Sequence, residues 1–188
     1  MKEDFVTTQA HRVNICNQTP QATIDQDRLR QGVLLVLQEH GIQRAVIGLA
    51  IVTDAAIHKM NRQYLNHDYA TDVLSFPLSS DGDDVLEGEI AISVDTALQR
   101  AKEYEWATEN ELLLYAIHGT LHLVGLSDQT PEDRHHMRFH EKTILAKMGI
   151  VCPEEIISVA SDAPMHANPI TDSTARTYAD PADRRKDS

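Results

Sequence analysis

The order of apolar and polar residues along the chain predicts a mixed α/β protein. Val13 and Ile15 alternate with polar residues, as in a half-buried strand. Leu29, Val33 and Leu37 instead recur every four residues, which is helical spacing. Across the chain, these two periods predict strands at residues 12–16, 45–53, 73–76 and 87–94, and helices at residues 25–40, 54–64, 95–104, 108–124 and 131–149.

Helix ends are marked by capping residues and by glycines. Side chains of Ser, Thr and Asp bind the exposed amides of a first turn, and a glycine lets the backbone turn after the last one. The expected N-caps are Asp54, Ser93 or Asp95, Thr108 in a capping box with Glu111, and Thr130 before Pro131. The expected stops are Gly41, Gly125 and Gly149.

Periodicity ends after Pro153, where the composition also changes. Residues 161–188 are rich in Asp, Ser, Thr, Pro and Ala, which cannot bury a core. We therefore expect a flexible N-terminus at residues 1–10, one domain at residues 11–160 and a disordered tail at residues 161–188. The predicted fold is a single α/β domain in which a small mixed sheet packs with about five helices, and the helix at residues 108–124 lies in the core.

Composition excludes several classes of protein. With 188 residues and 41% hydrophobic content, the chain is long enough for one compact domain. No apolar run approaches the ~20 residues that span a bilayer, and residues 1–5 lack the hydrophobic region of a signal peptide, so we expect a cytoplasmic protein without membrane contact. Cys16 and Cys152 lie far apart without a C-x-x-C pattern, which argues against a disulfide framework or a thiolate metal site.

Two histidines near the end of the fourth predicted helix have the spacing of metal ligands. His118 and His122 are four residues apart, so both rings project from one face of the helix. Gly125 allows a sharp turn, which would bring Asp128 back as a third ligand and leave a fourth position for water. The alternative is a pair of ordinary core histidines among the leucines of this helix. Their combination with Gly125 and Asp128 favours the metal site.

The pattern differs from that of a zinc peptidase at the position of the general base. Metzincins have the sequence H-E-x-x-H-x-x-G-x-x-H, and Gly119 occupies the position of their glutamate. Because glycine has no side chain to accept a proton, a metallopeptidase is disfavoured.

Three segments resemble the signatures of the YbeY endoribonucleases. Residues 118–125, with the sequence HGTLHLVG, resemble H-G-x-L-H-L-x-G. Residues 71–77, TDVLSFP, resemble T-D-V-L-S-F-P, and residues 88–90, GEI, resemble the G-D-I strand of that family. The segments occur in the family's order, and the resemblance covers about residues 10–150.

The resemblance implies a single zinc ion and an endoribonuclease that matures ribosomal RNA, especially the 3′ end of the small-subunit RNA, with a role in ribosome quality control. Ribosomal RNA and the small ribosomal subunit are then the expected partners. By position, the metal ligands are His118, His122 and Asp128, where the family has a third histidine. A carboxylate is a harder ligand than an imidazole and lowers the positive charge of the site.

Two features oppose a strong affinity for RNA. The family's Y-R-x-x-D segment reads YLNHD at residues 64–68, so Leu65 replaces an arginine that the resemblance implies to engage RNA. The net charge is −12, and residues 161–188 contribute only four basic and five acidic side chains, so the acidity belongs to the predicted domain. Phosphate binding depends on Lys and Arg. We therefore expect that RNA binding depends on a local basic cleft, or that a ribosome or a partner protein delivers the RNA to the site.

Three further side chains are candidates for proton transfer. Asp72 and Glu89 are candidate catalytic residues and, with His67, candidate general bases, because the helix position usual for that role holds a glycine. The structural alternatives are an Asx-type turn for Asp72 and an outward position on an edge strand for Glu89.

His136 and His140 form a second pair with ligand spacing. Neither a glycine turn nor a third ligand accompanies them in the sequence. The charged residues around the pair are Arg134, Arg138, Glu141 and Lys142. We therefore expect a solvated helix face rather than a second metal site.

The sequence as a whole favours a single-strand-specific, zinc-dependent endoribonuclease in which His118 and His122 act through the bound metal. The alternative from a different class is a ribosome-associated assembly factor with a structural or vestigial metal site. An activated water or the RNA 2′-hydroxyl could be the nucleophile, and the sequence leaves both routes open.

Overall fold

The computed structural model describes residues 11–19, 24–80 and 82–153. Within these residues the chain forms four strands and five helices, as the apolar pattern predicts. The strands are β1 (His11–Asn17), β2 (Ala45–Val52), β3 (Val73–Pro77) and β4 (Leu86–Ser93). The helices are α1 (Gln26–Glu39), α2 (Asp54–Leu65), α3 (Val94–Glu103), α4 (Thr108–Leu123) and α5 (Pro131–Lys147).

The two predicted terminal segments lie outside the described residues. These are the flexible N-terminus at residues 1–10 and the disordered tail at residues 161–188. The domain boundary at residue 160 also lies outside them and stays a prediction. Among the helices described, none combines the length and the apolar character that a membrane crossing requires.

The sheet is mixed, and its strand order is β1-β2-β4-β3. β2 pairs in parallel with both β1 and β4, whereas β3 pairs antiparallel with β4. Parallel neighbours need a crossover connection, and α1 supplies it between β1 and β2. β4 is therefore an inner strand, and β3 lies beside it at the edge of the sheet.

Side chains alternate across the sheet and build one apolar layer on each face. The larger layer joins β2 and β4 to α1, α4 and α5, and Ile90 and Ile92 share this face as predicted. The smaller layer joins Leu74 and Ala91 to Ile57 of α2. The histidine helix α4 thus lies on the side of the sheet that is covered by several helices.

The starts of α3 and α5 follow the predicted caps, whereas the start of α2 does not. Ser93 caps α3, and Thr130 begins α5 with a capping box. The N-cap of α2 is Thr53 rather than the predicted Asp54. Asp54 is the first helical residue, and its carboxylate accepts hydrogen bonds from the hydroxyls of Ser93 and Thr96. This contact ties the start of α2 to the start of α3.

The predicted capping box of Thr108 and Glu111 is wrong. α4 begins at Thr108, its N-cap is Ala107, and no side chain in the described part of the chain caps it. Glu111 is buried instead, and its carboxylate accepts a 2.7 Å hydrogen bond from the indole of Trp106. Burial raises the pKa of Glu111 even though this hydrogen bond opposes the shift. A hydrogen bond with Trp106, five residues earlier in the chain, has replaced the expected capping contact of this carboxylate.

Candidate metal centre

α4 carries the two histidines through the interior of the domain. Residues 111–121 are all buried, and a helix that is enclosed on every side tolerates apolar residues all round. The side chain of His118 is 1% exposed and that of His122 is 5% exposed. Their ring centroids lie 4.5 Å apart, which confirms that the two rings share one helix face.

The backbone after α4 brings Asp128 to these rings. Gly125 has a φ of 101°, and its amide donates a 3.0 Å hydrogen bond to the carbonyl of His122. The amide of Leu126 closes the same turn on a carbonyl of the last helical turn, which completes a Schellman motif. Asp128 Oδ2 then lies 3.8 Å from His118 Nε2 and 3.7 Å from His122 Nε2.

The three ligand atoms fit a divalent transition-metal ion. Bonds of ~2.0–2.1 Å that meet at a tetrahedral angle separate two ligand atoms by about 3.4 Å, close to the distances found here. Among the described residues, His118, His122 and Asp128 form the one group of three or more His, Cys, Asp or Glu side chains whose ligand atoms all lie within 4.8 Å of one another. Two imidazoles and a carboxylate are also donors that hydrolytic zinc sites use.

Both imidazoles are oriented through their Nδ1 atoms. His122 Nδ1 donates to the carbonyl of Leu126 at 2.9 Å, and because a carbonyl only accepts, the proton of the neutral ring lies on Nδ1. His118 Nδ1 lies 2.5 Å from Glu141 Oε1, a carboxylate acceptor. The Nε2 lone pairs of both rings are therefore directed toward Asp128, in the tautomer that a metal ligand requires.

Glu141 belongs to this site although the sequence did not indicate it. Its carboxylate lies between His118 and Arg138, whose Nη1 is 2.5 Å from Oε2. The expected solvated surface is wrong for Arg138 and Glu141, because both are buried. A signal was present in the sequence, since Glu141 falls at helical spacing with Met137 and Leu145 on the apolar side of α5.

Arg134 fixes the segment that carries Asp128. Its Nη1 donates hydrogen bonds to the carbonyl of Asp128 at 3.2 Å and to that of Gln129 at 2.9 Å. Arg134 stands in the first turn of α5, the helix that also supplies Glu141. The loop between α4 and α5 is thus held by the same helix that orients the His118 ring.

We expect Arg134→Met to weaken Zn²⁺ binding by about 10-fold, because methionine keeps the apolar stem but loses the donors that hold the loop. Competition with a chromophoric chelator measures this affinity. Lys142→Met, at an exposed position of the same helix, is the matched control and should leave the affinity unchanged. Equal affinities in the two variants would contradict a positioning role for Arg134.

Gly119 lies where α4 packs directly on the sheet. A Cβ atom at this position would lie 2.8 Å from Ile90 Cγ2 and 2.9 Å from Ser75 Oγ. The Ser75 hydroxyl also donates a 3.1 Å hydrogen bond to the carbonyl of Gly119. A side chain here would force the strands to move, so the glutamate of a metallopeptidase has no room at this position.

Gly119→Ala is expected to lower the free energy of unfolding by about 2 kcal/mol net, because the added methyl overpacks the contacts with β3 and β4 at a cost near the upper end of the usual range, about 3 kcal/mol. This loss outweighs the gain of about 1 kcal/mol in helix propensity that alanine brings. Urea denaturation of the metal-free protein measures the difference. Glu109→Ala, on the exposed first turn of α4, is the control and should stay within about 0.5 kcal/mol of the parent. A Gly119→Ala protein as stable as the parent would rule out a tight contact here.

Glu89 lies on the opposite face of the sheet from the three ligand candidates. A Cβ atom at Gly88 would contact α4, and a Cβ atom at Gly119 of α4 would contact Ile90. Gly88 and Ile90 therefore both face α4. Since successive strand residues alternate, Glu89 projects to the other side, where its carboxylate covers Gly48 of β2. The expected position on an edge strand is also wrong, because β4 is an inner strand. This placement gives no support to Glu89 as a catalytic residue.

Asp72 and His67 also lie outside the group of three ligands. Asp72 Oδ1 accepts hydrogen bonds from the amide of Val73 at 2.9 Å and from the hydroxyl of Thr71 at 3.0 Å. Both are local contacts at the start of β3, but neither is the hydrogen bond to the amide two residues on that defines the expected Asx-type turn. The ring of His67 stacks with that of Tyr69 at a centroid distance of 5.4 Å. A role as general base stays a prediction for both residues.

Proteins of one family resemble this chain in sequence. Residues 14–149 match the family model described as endoribonuclease YbeY. An endoribonuclease YbeY of Rhodopirellula baltica is 42% identical over 127 residues, which cover 66% of this chain and 65% of that protein, so the chain spans just under two thirds of that relative. An endoribonuclease YbeY of Chloroherpeton thalassium is 37% identical over 134 residues, which cover 71% of this chain and 94% of that protein.

A solved structure resembles this chain in fold. It is the solution structure of a protein of Thermotoga maritima, with a TM-score of 0.51 and 22% sequence identity. The likeness covers 80% of this chain and 95% of that protein. At this identity the likeness bears on the fold alone, and it agrees with the α/β architecture described above.

Proposed function

We propose, because this chain belongs to the endoribonuclease YbeY family, that it is a zinc-dependent endoribonuclease specific for single-stranded RNA. The proposed substrate is ribosomal RNA, in particular the 3′ end of the small-subunit RNA, with a further role in ribosome quality control in the cytoplasm. The observation that carries the proposal is the close group of ligand atoms from His118, His122 and Asp128.

Three side chains of this centre would bind one ion, and two neighbouring groups would orient the imidazoles. The Nε2 atoms of His118 and His122 and Oδ2 of Asp128 would bind it, while Glu141 and the carbonyl of Leu126 keep the two rings in place. A bound zinc ion supplies a Lewis acid that activates water and polarises a phosphoryl oxygen. Three protein ligands, rather than four, are typical of a catalytic zinc site.

The packing of Gly119 favours phosphodiester cleavage over peptide hydrolysis. A metallopeptidase places its general base at this helix position, where the contacts with Ile90 and Ser75 leave no space for a side chain. RNA carries a nucleophile of its own, the 2′-hydroxyl, besides any water at the site. In either route, water activated by a bound zinc ion could supply the hydroxide or take up the proton of the 2′-hydroxyl, so neither route requires a side chain at residue 119.

RNA must reach the site against the charge of the chain. The net charge is −12. Leu65, the last residue of α2, packs against the smaller apolar layer and has no donor group for a phosphate. Affinity for free RNA depends on Lys and Arg contacts. We therefore propose that the small ribosomal subunit presents the RNA end, so that docking on the subunit brings the strand to the metal.

Purified full-length chain, stripped with a chelator and reloaded with Zn²⁺, tests the proposed activity. One RNA contains the 3′ end of the small-subunit RNA as a single strand, and a second contains the same sequence as a duplex. We expect the zinc-loaded chain to cut the single strand, the stripped chain to be inactive, and the duplex to be cut more slowly. Gel electrophoresis of end-labelled RNA measures each rate.

His122→Ala separates this activity from a contaminating nuclease. It removes one proposed ligand but leaves the contact between His118 and Glu141, and we expect cleavage to slow by about 100-fold or more. His135→Ala, at an exposed position of α5, is the matched control and should keep the parental rate. Cleavage that persists in His122→Ala would contradict the proposal. Zinc-loaded protein that binds small subunits but cuts no RNA would favour the assembly factor.

A further inference from the structure

Two histidines on the outer side of α5 have ring nitrogens at chelating distance. His136 and His140 are about one helical turn apart, and their Nε2 atoms share a 3.2 Å hydrogen bond, in which one ring donates and the other accepts. An ion bound by both rings would take the place of the shared proton. Two bonds of ~2.0–2.1 Å that meet at angles between 90° and 110° separate the bonded nitrogens by about 2.9–3.4 Å. The observed distance therefore suits a single ion bound by both rings.

His40 packs against this pair and helps to fix it. His40 is the C-cap residue of α1 and is 8% exposed. Its ring centroid lies 4.9 Å from that of His140, and the rings of His136 and His140 are 4.6 Å apart with an interplanar angle of 90°. The ring of His140 thus packs against two other rings, so it loses less rotational freedom when it binds an ion.

The surroundings of the pair suit a cation. Glu132 and Asp133 stand in the first turn of α5, and Asp133 is close enough to His136 for an electrostatic interaction. The opposite side of α5 packs into the core through residues such as Met137 and Leu145. His136 is exposed and His140 is half-buried, so water can reach the pair from the side of His136 and complete the coordination of an ion.

We propose that His136 and His140 form a second metal site, distinct from the centre on α4, for a transition-metal ion that prefers imidazole ligands. Cu²⁺ binds most tightly among the first-row divalent ions at such a site, ahead of Ni²⁺ and Zn²⁺. In the described part of the chain, the group at His118, His122 and Asp128 is the one with three clustered ligands. The α5 site offers two protein ligands and is the weaker of the two.

The sequence alone favoured a solvated face at this position. Ligand spacing on a helix brings two rings to the same side, but it leaves the rotamers undetermined. The 3.2 Å distance between the two Nε2 atoms is the added observation, and the packing of His40 on His140 supports it. The proposal does not depend on the chain being a nuclease.

Calorimetric titration of the metal-free full-length chain with Zn²⁺ counts the ions bound. We expect the parent chain to bind one ion more than the double variant His136→Ala/His140→Ala. His135→Ala changes an exposed neighbour on the same helix and should bind as many ions as the parent. Parent and double variant that bind the same number of ions would overturn the proposal.

Titration with Cu²⁺ in a His122→Ala background isolates the second site. His122→Ala removes a ligand of the centre on α4, and we expect this variant to keep a Cu²⁺ ion whose electron paramagnetic resonance spectrum shows coupling to two imidazole nitrogens. Adding His136→Ala should weaken this binding by about 10-fold or more. A Cu²⁺ spectrum that is unchanged by His136→Ala would place the ion elsewhere and overturn the proposal, whatever the RNA assay gives.

Discussion

Asp128→Ala is expected to abolish zinc-dependent RNA cleavage and to leave the domain folded. Asp128 Oδ2 lies 3.8 Å and 3.7 Å from the Nε2 atoms of His118 and His122, so its removal leaves an ion with two protein ligands. We expect Zn²⁺ affinity to fall by about 100-fold or more, since losing even an outer partner of a ligand costs 10-fold to 100-fold. Chelator competition measures the affinity, and the rate on single-stranded RNA measures the activity.

Two matched variants make this result specific. Asp128→His keeps a metal ligand at the same place and is expected to retain binding, with a stronger preference for softer ions. Glu109→Ala removes an exposed carboxylate of α4 and should leave both affinity and rate unchanged. Should Asp128→Ala bind Zn²⁺ as tightly as the parent, the carboxylate is not a ligand and the proposed centre is wrong.

Glu141→Leu is expected to have the largest effect on stability. The carboxylate accepts hydrogen bonds from His118 and Arg138 in the buried space between α4 and α5. Removing one partner of a buried ion pair destabilises a protein by about 3–5 kcal/mol, because the other charge stays buried. We also expect Zn²⁺ affinity to fall by about 10-fold to 100-fold, since the His118 ring loses its orienting partner. Urea denaturation of the metal-free chain and chelator competition measure the two effects.

The double variant Arg138→Leu/Glu141→Leu separates these two effects. Replacing both charges with apolar side chains removes the cost of an uncompensated buried charge, so stability should return toward that of the parent. Zn²⁺ affinity should stay low, because His118 still lacks its carboxylate. If the double variant recovered both stability and affinity, Glu141 would be a structural residue only.

The close approach of the three candidate ligands could be predicted from the sequence because its geometry is local. Helical spacing places His118 and His122 on the same face of α4. Asp128 follows His122 by only six residues, and the turn at Gly125 brings it back to the two rings. The period of the apolar residues likewise gave the number and the approximate bounds of the strands and helices.

Contacts between distant segments could not be predicted in the same way. Glu141 reaches His118 across 23 residues, and Asp54, which the sequence predicted as an N-cap, instead accepts a hydrogen bond from Ser93 across 39 residues. The strand order β1-β2-β4-β3 also depends on pairing between distant segments. An apolar period shows which side of an element is buried, but not which neighbour covers it. The contact of Glu141 with His118 therefore became visible only in the structure.

One helix, α5, holds two of the three candidate ligands in place. Its Arg134 binds the backbone of Asp128, and its Glu141 binds the ring of His118. An ion held at this centre would therefore link α5 to α4, and it would bind the folded chain, in which the three donors lie together, more tightly than the unfolded chain. By mass action, such an ion stabilises the folded form. The lifetime of the protein against cellular proteases would then follow the supply of the proposed metal, and metal starvation would lower the amount of the protein itself.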